Sequence, residues 1–177
     1  MAESMTLLAE LARQQMQATR EYTLTLLEDM EDELWTKEVP GCTGHIAWQV
    51  GHIAMAQYGL TILRIRGKER EDQAFISNDF FKQFKKGSVP ISFSEGRPSV
   101  EGHPTVAEIR QVYAGVHDKA MELIPTYSAE VLSEPLPAPY MVYPNKLGSL
   151  LMASAHEMLH AGQIGMIRRA LGKSPVR

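Results

Sequence analysis

The sequence predicts an all-α protein, a four-helix bundle, on three observations. Apolar residues recur at steps of three and four over four long stretches, the period of one helix face. No stretch alternates apolar and polar residues as a half-buried strand does. The prolines fall between those stretches, where they cost the helices nothing.

The first stretch, from about Ser4 to Glu33, carries Met5, Leu8, Leu11, Ala12, Ala18, Tyr22, Leu26 and Met30 at helical spacing, so one long amphipathic helix is expected. Val39-Pro40-Gly41 then makes a turn, and a second helix is expected to begin near Thr43 and run through His45 to about Arg66. It is apolar around much of its circumference, as a central helix is. Gly51 and Gly59 inside it each cost roughly 1 kcal/mol relative to alanine, which points first to close helix packing and second to room kept for a ligand beside His52. Gly67 to Pro104 reads as a long crossover with a short helix around Ser77 to Lys86, and a connection of that length is expected to cover a site as well as join two helices. Thr105-Val106-Ala107-Glu108 fits a capping box. The third helix starts there, buries Ile109, Val112, Tyr113, Val116, Ala120, Leu123 and Ile124, and stops at Pro125, leaving His117 on the surface. Residues 126–146, with Pro135, Pro137, Pro139 and Pro144, are too rich in proline for regular structure. The last helix, Leu147 to Leu171, has Asn145 as its N-cap and Gly172 as its stop, with Arg168 and Arg169 in its final turn.

The link between the first two helices is short enough for antiparallel neighbours, whereas about 38 residues from Gly67 to Pro104 allow the second and third to run parallel. A chain of 177 residues is one domain, 1–177, without repeats or low-complexity segments. Its 44 % hydrophobic and 22 % charged content is that of an ordinary globular protein. A net charge of −3 carries no nucleic-acid footprint. Cys42 is the only cysteine, there is no leader-like N-terminus, and no run of 18 apolar residues occurs. A cytoplasmic protein without a membrane span is therefore expected.

His156 and His160 are spaced i, i+4, so on a helix their rings lie one above the other. Their face continues through Ser149, Met152, Ala153, Gln163, Ile164 and Ile167, a mostly apolar setting that keeps imidazole neutral, the form that binds metal. Catalytic metal sites commonly take three protein ligands and keep one position open. His52 on the second helix is the expected third ligand, with His45 in reserve. Gln163 and Glu157 are the remaining candidates for the surroundings of the ion, and Trp48 and Tyr58 are read as packing. His103, beside Pro104, is not counted as a ligand. His156-Glu157-Met158-Leu159-His160 also matches the H-E-x-x-H zinc-protease motif. That reading is set aside because no His, Asp or Glu follows His160, and Gln163 and Met166 stand where the extended motif needs Gly and His.

GHIA around His52, HEMLHAGQI about a hundred residues later, and RRALG with a proline beyond it resemble the DinB/YfiT-like superfamily over nearly the whole chain. The resemblance implies an up-down-down-up four-helix bundle with metal ligands at the matching positions His52, His156 and His160. It also implies activities found among such proteins: thiol S-transfer with low-molecular-weight thiols, a thiol-dependent isomerisation, and hydrolase-like chemistry. His45 and the 67–104 connection lie outside the motif. The expectation is a metal-dependent enzyme, a transferase using a small thiol, with a divalent transition ion, zinc or nickel first, as cofactor. The alternatives are a hydrolase with metal-activated water and a non-catalytic metal-binding or stress-response protein. The partners expected are small molecules, a homodimer being left open.

Overall fold

The computed structural model describes residues 2–42, 44–85, 87, 93–94, 97–98, 102–136 and 144–176. Among the described residues it is helical apart from one short antiparallel ladder, in which Phe93–Ser94 (β1) pairs with Arg97–Pro98 (β2), and an isolated bridge between Pro135 and Asn145. Four helical stretches are long among the described residues. The first is α1 (Ala2–Leu27), followed by the single turn α2 (Asp32–Trp35). The second is α3 (Ile46–Tyr58), which runs through a π-helical segment, Gly59–Leu63, into α4 (Arg64–Arg66). After α5 (Asn78–Phe84) comes α6 (Val106–Leu123), and after the short α7 (Ala129–Ser133) comes α8 (Lys146–Ala170).

The helix-end signals operate as chemistry dictates. Thr105 and Glu108 form the reciprocal capping box, with Thr105 N donating to Glu108 at 2.7 Å and Glu108 N to Thr105 Oγ1 at 3.2 Å. Asn145 Oδ1 accepts from Gly148 N at 3.0 Å, and Gly172 ends α8 at φ 86°. Ser77 caps α5, while Lys86, the far end expected for that helix, lies outside the described residues, as do Thr43, Pro137 and Pro139.

Four expectations are corrected. The first helix stops at Leu27 instead of Glu33. Leu26 and Met30 keep the helical period, but Trp35 must turn back to bury its ring completely and donate Nε1–H to the Met30 carbonyl at 3.2 Å. The chain between 126 and 146 is not wholly irregular, since α7 fits ahead of the first proline of that run, capped by Ser128. Pro125 does not abolish helical structure at once; it sits in a 3-10 turn, Ile124–Thr126, that finishes α6. His117 is buried, not on the surface, because both ring nitrogens find partners, Gln57 at 3.1 Å and Gln17 at 3.0 Å.

Contacts between helices position the site. Arg168, near the end of α8, donates to the Leu26 carbonyl at the end of α1 at 2.6 Å. Ser149, early in α8, donates to the Leu60 carbonyl late in the second stretch at 2.7 Å, and Tyr127, just past α6, donates to the Thr61 carbonyl at 3.0 Å. Both acceptors lie in the π-helical segment, whose wider turn exposes carbonyls to outside donors. Tyr58 OH and Arg66 hold the buried Asp72 at 2.8 and 2.5 Å, pinning the start of the long connection to this stretch.

The middle of the bundle is polar where all four stretches meet. Arg20 of α1 donates Nε–H to Glu157 Oε1 of α8 at 2.9 Å, Nη2–H to Gln57 Oε1 of α3 at 2.7 Å, and Nη1–H to the Tyr113 carbonyl of α6 at 2.7 Å. Tyr113 OH donates to Glu157 Oε1 at 2.7 Å. With Gln57 Oε1 already accepting from Arg20, its amide N–H donates to His117 Nδ1, so His117 carries its proton on Nε2 and donates that N–H to Gln17 Oε1. Every donor in this chain meets an acceptor, the condition for burying such groups. Burial and the neighbouring Arg20 hold His117 down at about 4.

Candidate metal centre

His52 stands in the middle of α3, and His156 and His160 stand one turn apart on α8. Packing of these helices brings the three rings together, with centroids 5.2 Å apart for His52 and His156, 4.9 Å for His52 and His160, and 4.6 Å for His156 and His160. One nitrogen from each ring lies within 4.8 Å of the others. Small ring rotations bring such a set onto one ion with bonds of about 2.0–2.1 Å.

The tautomers follow from the partners. His52 Nδ1 is 2.7 Å from the Phe84 carbonyl, which only accepts, so Nδ1 carries the proton and Nε2 keeps its lone pair. His160 Nδ1 is 2.5 Å from Gln49 Oε1, with the same consequence. Two of the three rings are thus held in the ligand-ready form by acceptors behind them, the arrangement that orients histidine on metals. Burial, then the charge that His52 would carry, holds His156 at about 4. Burial, then His156 and His52, holds His160 at about 3. Burial lowers His52 too, against the opposing pull of the Phe84 carbonyl. At neutral pH the set is uncharged, and the residues present fit a divalent ion that prefers imidazole.

Phe84 is the last residue of α5, so its carbonyl is one that the helix itself leaves unpaired. Gly51 lets that end approach: a Cβ there would meet the Phe84 ring at 2.3 Å. The close-packing expectation holds for Gly51 and fails for Gly59, where a Cβ would meet nothing within 4 Å, and the long connection does contribute to the site through α5. Gly51→Ala is expected to push Phe84 outward, lengthen the His52 contact and weaken metal affinity roughly 10–100-fold, the usual effect of losing a residue behind a ligand. Chelator competition on the purified variant measures this, and unchanged affinity would remove Phe84 from the site.

The other candidates divide. His45 is the N-cap of α3, its Nδ1 accepting from Trp48 N at 3.1 Å, and it stands outside the three-histidine group. Glu157 is engaged by Arg20 and Tyr113 in the bundle core. Gln163 lies beside His160, with its Oε1 buried, and as a side-chain hydrogen-bond partner it opposes part of the lowering that burial imposes on that ring. Trp48 packs as expected, and the surface it packs on is the site: it stacks on His52 with centroids 4.9 Å apart and planes 9° from parallel.

Gln49 and the Phe84 carbonyl were not singled out from the sequence as supports of the ligands. Gln49 had a usable signal, a polar residue three positions before His52 on a largely apolar helix. A backbone carbonyl has none.

A family model described as the DinB superfamily matches residues 15–164, a span that includes all three histidines. No curated protein matches the chain.

Proposed function

The chain belongs to the DinB superfamily, and from that premise we propose that it is a metal-dependent enzyme that joins a low-molecular-weight thiol to an electrophilic substrate. The observation that carries the reading is the convergence of three neutral histidines, two of them fixed by Gln49 and the Phe84 carbonyl so that Nε2 faces the shared point. His52, His156 and His160 would hold a zinc or nickel ion. A bound divalent ion supplies positive charge that lowers the pKa of a thiol near it. Three uncharged ligands leave that charge unneutralised, which favours an anionic sulfur over a neutral one. The rest of the site serves this end: Trp48 covers one side of His52 with an apolar ring, and Gln163 offers a buried acceptor beside His160. In the reaction a carbon–sulfur bond forms, the leaving group departs with its electron pair, and the thiol proton passes to solvent.

The engagement of Glu157 by Arg20 favours thiol transfer over hydrolysis, since the glutamate of the H-E-x-x-H segment is not available as a base. The up-down-down-up order of the helices belongs to the same reading. Its supports are the pairing of the ends of α1 and α8 by Arg168 and the tie from Tyr127 to Thr61 between the ends of the second and third stretches. A reducing compartment is also proposed, on the single Cys42. No helix among the described residues is long and apolar enough to cross a membrane.

The test is consumption of a panel of electrophiles by zinc- or nickel-loaded protein with and without small thiols, between pH 5 and 8. Thiol-dependent consumption that rises with pH, as thiolate becomes accessible, is the expected result. Consumption independent of thiol would replace this proposal with hydrolysis, and none at full loading would leave a metal-binding protein without turnover.

A further inference from the structure

Every large apolar side chain that stands exposed among the described residues lies on α1 or α8. These helices run side by side, tied by Arg20 to Glu157 and by Arg168 to the Leu26 carbonyl. On α8 the pattern is complete: between Lys146 and Arg169 the exposed positions are Ala155, Met158, Leu159, Gly162 and Met166, and none is polar. Leu159 is 59 % and Met166 54 % exposed. A helix face on water normally carries charge. With Leu11 and Tyr22 of α1, the bare apolar surface is on the order of 500 Å², at the upper end of what a monomer leaves exposed and close to the share that each partner brings to a small specific interface.

The sequence of this face says what covers it. Ala155, Leu159, Gly162 and Met166 follow one another at steps of four, three and four, the spacing of a seam along which one helix meets another. The seam also fits itself. When two copies of α8 cross antiparallel about a two-fold axis midway between Leu159 and Gly162, Leu159 of each lies on Gly162 of the other and Met166 of each on Ala155, large against small throughout. Gly162 has no explanation inside the chain, since a Cβ there would meet nothing within 4 Å and glycine weakens a helix interior relative to alanine. Beside it a groove of about 210 Å³ is lined by Gly162, Gly165 and Tyr22, and the same two-fold brings Met158 of the second copy to its mouth. The exposed positions of the seam carry no charge, so closing it strips water from no ion.

We propose that this face of α1 and α8 is the interface of a homodimer, with a second copy of this chain as its occupant and α8 against α8 at its centre. His156 and His160 point to His52 of α3 and not to the seam, so each copy keeps its own metal centre. This goes beyond the thiol-transfer reading and does not depend on it.

The experiment is sedimentation velocity of the full, metal-loaded chain across the micromolar range of concentration. A dimer is expected. Leu159→Lys is expected to raise its dissociation constant roughly 100-fold or more, because an isologous interface takes each change twice. Gly162→Leu is expected to weaken the dimer as well, by filling the place of the opposing Leu159. Adding Leu159→Ala to Gly162→Leu is expected to restore it, because large and small have only changed sides. Both positions are exposed and nothing in the chain occupies the space beside Gly162, so metal content is expected to be unchanged in all three variants. A parent chain that stays monomeric, a dimer indifferent to Leu159→Lys or to Gly162→Leu, or a double variant no tighter than Gly162→Leu alone would each overturn the proposal.

Discussion

Replacing His160 with alanine is expected to leave a folded protein that no longer retains a metal ion. His160 supplies one of three ligand atoms, and with His52 and His156 alone the site has two. Losing a direct ligand removes bound metal, unlike the 10–100-fold loss from a supporting residue. The fold survives because the core is built from side chains such as Ile46, Ile53, Ile109, Leu150 and Ile164, none of which needs the ion. Some stability is lost nonetheless: Gln49 is fully buried, and the hydrogen bond between its Oε1 and the ring goes with His160, a net loss of about 0.5–1.5 kcal/mol. Gln49→Leu separates the two effects, keeping all three ligands while freeing the His160 ring, so partial loss of affinity is expected there. Metal analysis of untagged protein decides the matter. One equivalent retained by His160→Ala would end the three-histidine assignment, and wholesale unfolding would make the ion a structural staple.

Arg20→Met is expected to destabilise the protein by roughly 3–5 kcal/mol, the cost of breaking a buried ion pair and leaving one charge without its partner. Glu157 is only 2 % exposed, so water cannot take the place of the guanidinium. Gln57 Oε1 and the Tyr113 carbonyl lose their donors in the same step. For a chain of this size the melting temperature should fall by roughly 6–20 °C. The double variant Arg20→Met with Glu157→Leu should recover a large part, because a buried pair replaced by apolar groups is often close to neutral. Thermal unfolding of the two proteins makes the comparison. A single variant within about 1 kcal/mol of the parent would mean that the junction relaxes or admits solvent.

The histidines were legible because α8 sets His156 and His160 one turn apart whatever else the chain does, and because His52 stands on an apolar, glycine-containing helix where a third ligand was expected, a position that the resemblance matched. What the sequence hid was pairing between helices. Nothing local shows that Arg20 will meet Glu157 across 137 positions of chain, nor that Gln57, Gln17 and Tyr113 will complete the junction and so allow His117 inside. The adjacency of Glu157 to His156 misleads for a physical reason: consecutive residues on a helix are turned by about 100°, so one faces the ligand cluster while the next faces Arg20. The end of α1 was hidden differently, since Leu26 and Met30 preserve the helical period across a break set by the tertiary needs of Trp35 and Arg168.

The π-helical segment Gly59–Leu63 amounts to one residue more than a regular helix would use over the same rise, because its hydrogen bonds span five residues instead of four. The extra residue comes after His52, Gln49 and Gln57 and before Arg66. The wider turn absorbs that residue locally, so the helix keeps its phase on both sides of it: upstream His52, Gln49 and Gln57 face their partners, and downstream Arg66 still faces Asp72. The bundle therefore has an expansion joint, a place where one residue of extra length is taken up without turning either end of the stretch away from what it holds.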